Sequence, residues 1–230
     1  MSTVAIITAR GGSKRIPKKN IKEFCGKPII AYSIEAALNS DVFDEVMVST
    51  DSEEIAEIAK KYGAKVPFLR SDDNSNDFAT TSDVIVEVLE KYAEAGQNVT
   101  KACCIYPTAP FVTAEKLKSG MHMLDGNTDT VIPVVAFSYP PQRGMIIEDS
   151  LLALREPQYA RTRSQDLEPM YHDCGQFYCF DVNSFMKTRN LLAGRIRPLV
   201  CSEMEVQDID TMTDWKLAEV KYKMMLENAN

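Results

Sequence analysis

Apolar and polar positions switch between two periods along this chain, and the switching predicts its elements. Residues 4–7 (Val-Ala-Ile-Ile) form an unbroken apolar run, the pattern of a strand buried on both faces, and lead into a Gly-, Lys- and Pro-rich loop over 10–20. A helix is expected from Pro28, a residue suited to a first helical position, with Ile30, Ile34, Ala37 and Leu38 on one face. Residues 45–50 read as a second strand. Asp51 with Glu54 predicts a capping box for a helix through Lys61 that stops at Gly63. The alternation continues with a strand over 66–69, a helix over 80–95, a strand over 102–106, a helix over 114–124 and a strand over 130–135. Such alternation predicts an α/β fold, a mostly parallel sheet with helices on both faces. It also places ligands at the C-terminal edges of the strands.

The rhythm breaks over 138–175, where Pro140, Pro141, Pro157 and Pro169 interrupt any helical period. The stretch is too long for a simple connection and reads as a lid, a binding loop or an oligomerisation arm. Strands resume over 176–182 and 197–201, and a last helix carries Trp215, Ala218, Tyr222 and Met225 as a core stripe. Residues 1–230 are therefore expected to form one domain, with 138–175 as its excursion.

Charge changes the picture in one respect. The formal net charge is −7, yet Arg10, Lys14, Arg15, Lys18, Lys19, Lys22 and Lys27 stand in the first 27 residues against Glu23 alone. An acidic body with a short basic head argues against nucleic-acid binding, which spreads positive charge over a face, and calls for a small, strongly anionic ligand. No apolar run approaches bilayer-spanning length, and residues 4–7 lack the flanks of a signal peptide, so a cytoplasmic protein without membrane contact is expected. The six cysteines include no Cys-x-x-Cys pair and fall mostly in apolar runs, where thiols act as small hydrophobes; the isolated His122 and His172 add no zinc site.

Two segments carry chemistry. Arg10-Gly11-Gly12-Ser13-Lys14-Arg15-Ile16-Pro17-Lys18-Lys19-Asn20 directly follows the first strand. Its glycines admit close backbone approach, successive amides form an anion-binding concavity, and its cations add charge-assisted bonds to phosphate oxygens. The spacing matches neither the Walker loop nor the dinucleotide fingerprint. The second segment, Asp208-Ile209-Asp210, puts two carboxylates at i and i+2, which on extended chain point the same way and suit a hard cation such as Mg2+ alongside phosphates. The competing reading is an aspartate that merely caps the following helix.

Together with Ser49-Thr50-Asp51 and Tyr106-Pro107-Thr108-Ala109-Pro110, these segments resemble the CMP-sialic acid synthetase (acylneuraminate cytidylyltransferase) family over nearly the whole chain. Gln142-Arg143, the segment 163–167 and the segment 172–178 are similar to the branch of that family acting on pseudaminic acid. Tyr106 points the same way, standing where the sialic acid branch commonly has Gln. The resemblance implies a Rossmann-like three-layer nucleotidyltransferase fold with a dimerisation arm. It further implies transfer of CMP from CTP to the anomeric hydroxyl of a nine-carbon acidic sugar, releasing pyrophosphate, in a Mg2+-dependent homodimer. Pseudaminic acid is the first expectation, with N-acetylneuraminate or legionaminate as alternatives.

By the resemblance, Arg10, Gly11, Gly12, Ser13 and Lys14 wrap the triphosphate, Lys19 and Asn20 also reach the nucleotide, Arg70 and Thr81 lie near the cytosine, and Asp208 and Asp210 hold the metal. Arg10, Lys14, Lys19 and Asp210 are the expected catalytic residues. The sugar's carboxylate wants an arginine outside the loop: Arg163 is the choice, with Gln176 as an uncharged partner and Arg143 and Arg161 close behind. His172, oriented by Asp173, is the one weak candidate for a general base. Two other classes compete: a nucleotide-binding regulator without turnover, against which the intact Asp-x-Asp speaks, and a glycosyltransferase, whose Asp-x-Asp belongs mid-chain.

Overall fold

A computed structural model describes residues 2–228. In chain order, β1 (Ser2–Thr8) is followed by the small hairpin β2 (Glu23–Phe24) and β3 (Lys27–Pro28), then α1 (Ile29–Asn39), β4 (Glu45–Ser49), α2 (Glu53–Lys61), α3 (Thr81–Glu94), β5 (Val99–Ile105), α4 (Ala114–His122) and β6 (Thr130–Ala136). The chain continues through β7 (Met145–Glu148), β8 (Leu151–Leu154), β9 (Tyr171–Asp173), β10 (Phe177–Asp181), α5 (Val182–Thr188), β11 (Ile196–Val200) and α6 (Met212–Asn228).

The main sheet runs β11-β6-β10-β5-β1-β4, with β9 also on β6. Pairing is parallel between β1 and both β4 and β5, and between β6 and β11; β10 is antiparallel to β5 and β6, and β9 is antiparallel to β6. Period-2 alternation explains why helices cover both faces. Ala5, Ile7, Val48, Cys103 and Ile105 meet Ile30 and Ile34 of α1, Ile55 of α2 and Leu117 of α4. Their neighbours Val4, Ile6, Met47, Ala102 and Cys104 meet Ile85, Val88 and Leu89 of α3 and Phe185 of α5. A third cluster packs Trp215 and Ala218 of α6 on Ile16, Phe24, Ile29, Tyr32, Phe111 and Ile209, so the predicted stripe is core. All six cysteines are free thiols, and Cys103, Cys104, Cys174, Cys179 and Cys201 are buried.

The structure departs from expectation in particular places. Residues 66–69 form no strand: the chain runs beside β4 and bonds through Lys65 (N to Val46 O at 2.8 Å) and Arg70 (N to Thr50 O at 2.8 Å), but Pro67 has no N–H for the rungs between. Ser52, not Asp51, caps α2, accepting from Ile55 N, which frees the Asp51 carboxylate for another task. The short α5 directly after β10 was not anticipated. Within 138–175, β7 and β8 form a hairpin turning through Asp149 and Ser150, both at positive φ, and β9 rejoins the sheet.

Candidate active site

The C-terminal ends of β1, β4 and β5 open onto a cleft of about 480 Å³. Its walls are Thr8 and Arg10, Gly12 to Ile16, Lys19 and Asn20 of the basic loop; Arg70 and residues of the segment leading into α3; Tyr106 to Thr108 after β5; and Asp210. This is the edge where a parallel sheet collects ligands.

Side chains pin the basic loop at both ends. Ile16 is buried in the aromatic cluster, and the buried Asn20 donates its Nδ2 to Arg10 O at 2.8 Å. Gly11 N donates to Asp51 Oδ1 at 2.7 Å. A Cβ on Gly11 would stand 3.2 Å from Ser52 Cβ and 3.6 Å from both Asp51 carboxylate oxygens, so glycine permits this close approach. Gly12, where a Cβ would meet nothing within 4 Å, and Ser13 line the cleft itself.

The loop's cations already face carboxylates. Arg10 Nη1 donates to Asp77 Oδ1 (3.0 Å) and Asn76 O (3.2 Å), and Lys14 pairs with the other Asp77 oxygen. The two cations hold the Asp77 carboxyl below the usual range. Arg15 grips both oxygens of Asp210 at 2.8 Å; Lys19 donates to Ile209 O at 2.8 Å and stands 3.6 Å from Asp210. Lys18 pairs with Glu54 outside the cleft. Asp77 thus pairs with Arg10 and Lys14, and Asp210 with Arg15.

Arg70 is buried and donates to Ser49 Oγ (3.0 Å) and Ser49 O (2.6 Å). Burial lowers its pKa, opposed by the charges of Asp51 and Glu87, but a guanidinium stays protonated and leaves a fixed charge in the wall. Thr81 Oγ1 lies 3.5 Å from the Tyr106 hydroxyl. The segment before α3 is held by Glu87, which accepts from Ser71 N and Oγ, Asn74 and Lys91; burial alone would raise this carboxyl, but those bonds bring it down to about 2.

Asp208 and Asp210 do not cap α6. Thr211 does, in a reciprocal pair with Asp214, whose carboxylate also accepts from Asp210 N. Ile209 is buried in the aromatic cluster, so its two neighbours turn the other way, as alternation requires. Asp210 borders the first cleft, while Asp208 borders a second cavity of about 590 Å³.

Ser138, His172, Asp173, Gly175, Glu203, Gln207 and Lys221 are among the residues lining that second cavity. His172 Nδ1 faces the backbone O of Asp173 at 3.0 Å and its ring tilts against Phe137; the Asp173 carboxylate goes instead to Gly175 N (2.7 Å) and the Tyr178 hydroxyl (2.5 Å). The expected carboxylate–histidine pair is therefore absent. Gln176 is buried and lines neither cavity, with Nε2 on Glu205 O at 2.6 Å and Oε1 unpartnered among the described residues. Arg163 is exposed, pairs with Asp166 at 2.7 Å and lines neither cavity; Arg143 reaches Ser164, also away from both. Sequence reasoning missed Asp51 and Asp77. Asp77 sits in a Ser/Asp/Asn-rich run without period, where the one available signal was its position just before the Thr80 cap of α3.

Against known proteins, the Cytidylyltransferase family profile matches residues 4–172. The chain is 39% identical to the pseudaminic acid cytidylyltransferase of Campylobacter jejuni subsp. jejuni serotype O:2, over 100% of both chains. The chain belongs to the cytidylyltransferase family. It is also 34% identical to the CMP-N,N'-diacetyllegionaminic acid synthase of Legionella pneumophila, covering 95% of each chain. Among solved structures, a CMP:2-keto-3-deoxy-manno-octonic acid synthetase complexed with CTP superposes with a TM-score of 0.69 at 20% identity, covering 99% of this chain and 100% of that one, a likeness of fold. A cytidylyltransferase is a nucleotidyltransferase, and the sheet with helices on both faces is the fold such a chain is expected to have. Among the described residues, no helix is long and apolar enough to cross a membrane.

Proposed function

We propose that this cytidylyltransferase transfers CMP from CTP to the anomeric hydroxyl of a nine-carbon acidic sugar, pseudaminic acid first, and releases pyrophosphate. The observation that carries the reading is the basic loop facing Asp210 across a cleft at the strand ends, in a chain similar end to end to a pseudaminic acid cytidylyltransferase. The triphosphate lies along the loop, with Gly12 and Ser13 against it and Arg10, Lys14 and Lys19 as its cations. Arg70 and Thr81 lie toward the base. The sugar takes the adjacent cavity beside Asp208, and Gln176 supports its wall.

The sugar's hydroxyl oxygen bonds to the α-phosphorus, the bond from that phosphorus to the bridging oxygen breaks, pyrophosphate leaves, and the hydroxyl proton passes to solvent. Charge builds on phosphate oxygens and on the leaving group, so the work is electrostatic and positional. Arg10, Lys14 and Lys19 are held in place before CTP arrives, and exchanging Asp77 for phosphate keeps Arg10 and Lys14 paired throughout. Asp208 and Asp210 offer oxygen donors only and would hold magnesium, Asp210 giving up its pairing with Arg15 to do so. Magnesium, when bound, supplies charge neutralisation on the phosphates.

Arg163, too far out to serve its own cavities, fits a role in a homodimer. The β7–β8 hairpin exposes Met145, Ile147, Leu151 and Leu152, each more than half accessible, and so large an apolar tip suits a second copy of the chain. Light scattering on the double variant Ile147→Glu with Leu151→Glu should give half the wild-type mass; an unchanged mass would remove the arm from the interface. The function is tested by pyrophosphate release from CTP and Mg2+ with pseudaminic, legionaminic and N-acetylneuraminic acids, and release is expected to be fastest with pseudaminic acid. CTP binding without release from any of the three would favour the regulator.

A further inference from the structure

The two cavities are joined by side chains as well as by the Asp208–Asp210 segment. Asp173 lines the second cavity, and its carboxylate is fixed by Gly175 N at 2.7 Å on one oxygen and by the Tyr178 hydroxyl at 2.5 Å on the other. Tyr178 is buried and lines neither cavity. Its ring packs edge-on against Tyr106, centroids 5.6 Å apart, and Tyr106 lines the nucleotide cleft with its hydroxyl 3.5 Å from Thr81 Oγ1. The backbone of Tyr106 is held on both sides, N to Gln176 O and O from Ser33 Oγ, each at 2.8 Å, so the direction of its phenol is the freedom left to set.

Resting on the proposed function, we infer that Asp173, Tyr178 and Tyr106 form a positioning relay, in which a carboxylate on the sugar cavity sets, through a buried phenol, the direction of the Tyr106 hydroxyl in the nucleotide cleft. The bond from Tyr178 to Asp173 is charge-assisted and short, so the Tyr178 hydroxyl donates to Asp173 and fixes the ring that packs edge-on against Tyr106. The two phenols lie close enough to shift each other's ionisation; burial, the larger cause for each, holds both above the ordinary tyrosine range and therefore neutral. The Tyr106 phenol is thereby held beside Thr81, and a sugar hydroxyl arriving at Asp173 changes what Tyr178 does and hence what the nucleotide meets. Tyr178 is a positioning residue, because it lines neither cavity, whereas Asp173 borders the sugar cavity itself.

Removing the Tyr178 hydroxyl leaves Asp173, which is exposed, free to hydrate, so Tyr178→Phe should fold normally. The test is a double-mutant cycle of Tyr106→Phe and Tyr178→Phe, read as kcat/KM for pseudaminic acid, with calorimetry of CTP alone on each variant. Each single variant should lose about tenfold in kcat/KM while binding CTP within threefold of wild type, and the double variant should be no worse than the weaker single. Losses that multiply to about a hundredfold in the double variant, or a Tyr178→Phe rate within twofold of wild type, would overturn the relay. A wild type that binds CTP but releases no pyrophosphate with any acid would instead overturn the reading of function.

Discussion

Asp210→Asn is expected to lower pyrophosphate release by a hundredfold or more while leaving the melting temperature within a few degrees of wild type. The carboxylate is 40% exposed and its partners Arg15 and Lys19 are themselves solvent-facing or backbone-bonded, so the ion pairs add about 1 kcal/mol or less to stability. Asparagine keeps the shape and one acceptor oxygen, and it caps nothing that Thr211 does not already cap. What it lacks is the charge proposed to hold a hard cation against the phosphates, a loss expected to cost about 3 kcal/mol or more at the transition state. The check is a magnesium titration of turnover beside thermal unfolding: the variant should need far more metal and still fall short. A wild-type rate and metal dependence in the variant would remove Asp210 from the metal site.

Lys14→Ala should cost a similar hundredfold, about 3 kcal/mol of transition-state stabilisation, through a different part of the site. The Lys14 side chain is 76% exposed and bonds Asp77 rather than any buried group, so the fold has little to lose. Both kcat and kcat/KM for CTP should fall, because the charge it opposes grows as pyrophosphate departs. A lysine that served only the surface pair with Asp77 would change turnover less than threefold, and that outcome would return the loop to a decorative role. Measured together, the two variants separate the cation and anion sides of one electrostatic arrangement.

Much of this was legible in the chain because one physical rule dominated each place. Residues 4–7 are apolar without a break because both faces of β1 are covered, and the Trp215 stripe has one period and one neighbour cluster. The glycine-rich loop could be read because Gly11 is needed where the backbone closes on Asp51 and Ser52, beside Gly12 in the cleft lining. Other features depend on partners far away in sequence. Asp51 looked like a cap, and only the folded chain brings it to Gly11 and hands the cap to Ser52. Asp77 meets Arg10 and Lys14 across more than sixty residues, a pairing no local pattern encodes. The strand expected over 66–69 failed on one missing N–H, at Pro67. Arg163 was chosen for its charge, and charge alone could not say that the residue would stand on the arm, outside both cavities of its own chain.

The place where that arm leaves the sheet has a consequence for how such a protein can change. Ala136 pairs with Tyr171 on adjacent strands, so residues 137–170 depart and return at one rung of a ladder. The entropy of closing that loop varies only with the logarithm of its length, and the ladder continues one rung into the arm, with Phe137 N on Met170 O at 3.0 Å. Changes in length at the exposed β7–β8 tip are therefore expected to leave the register of the sheet undisturbed. The tip is a place where the chain can vary without retuning the strand ends that border the nucleotide cleft.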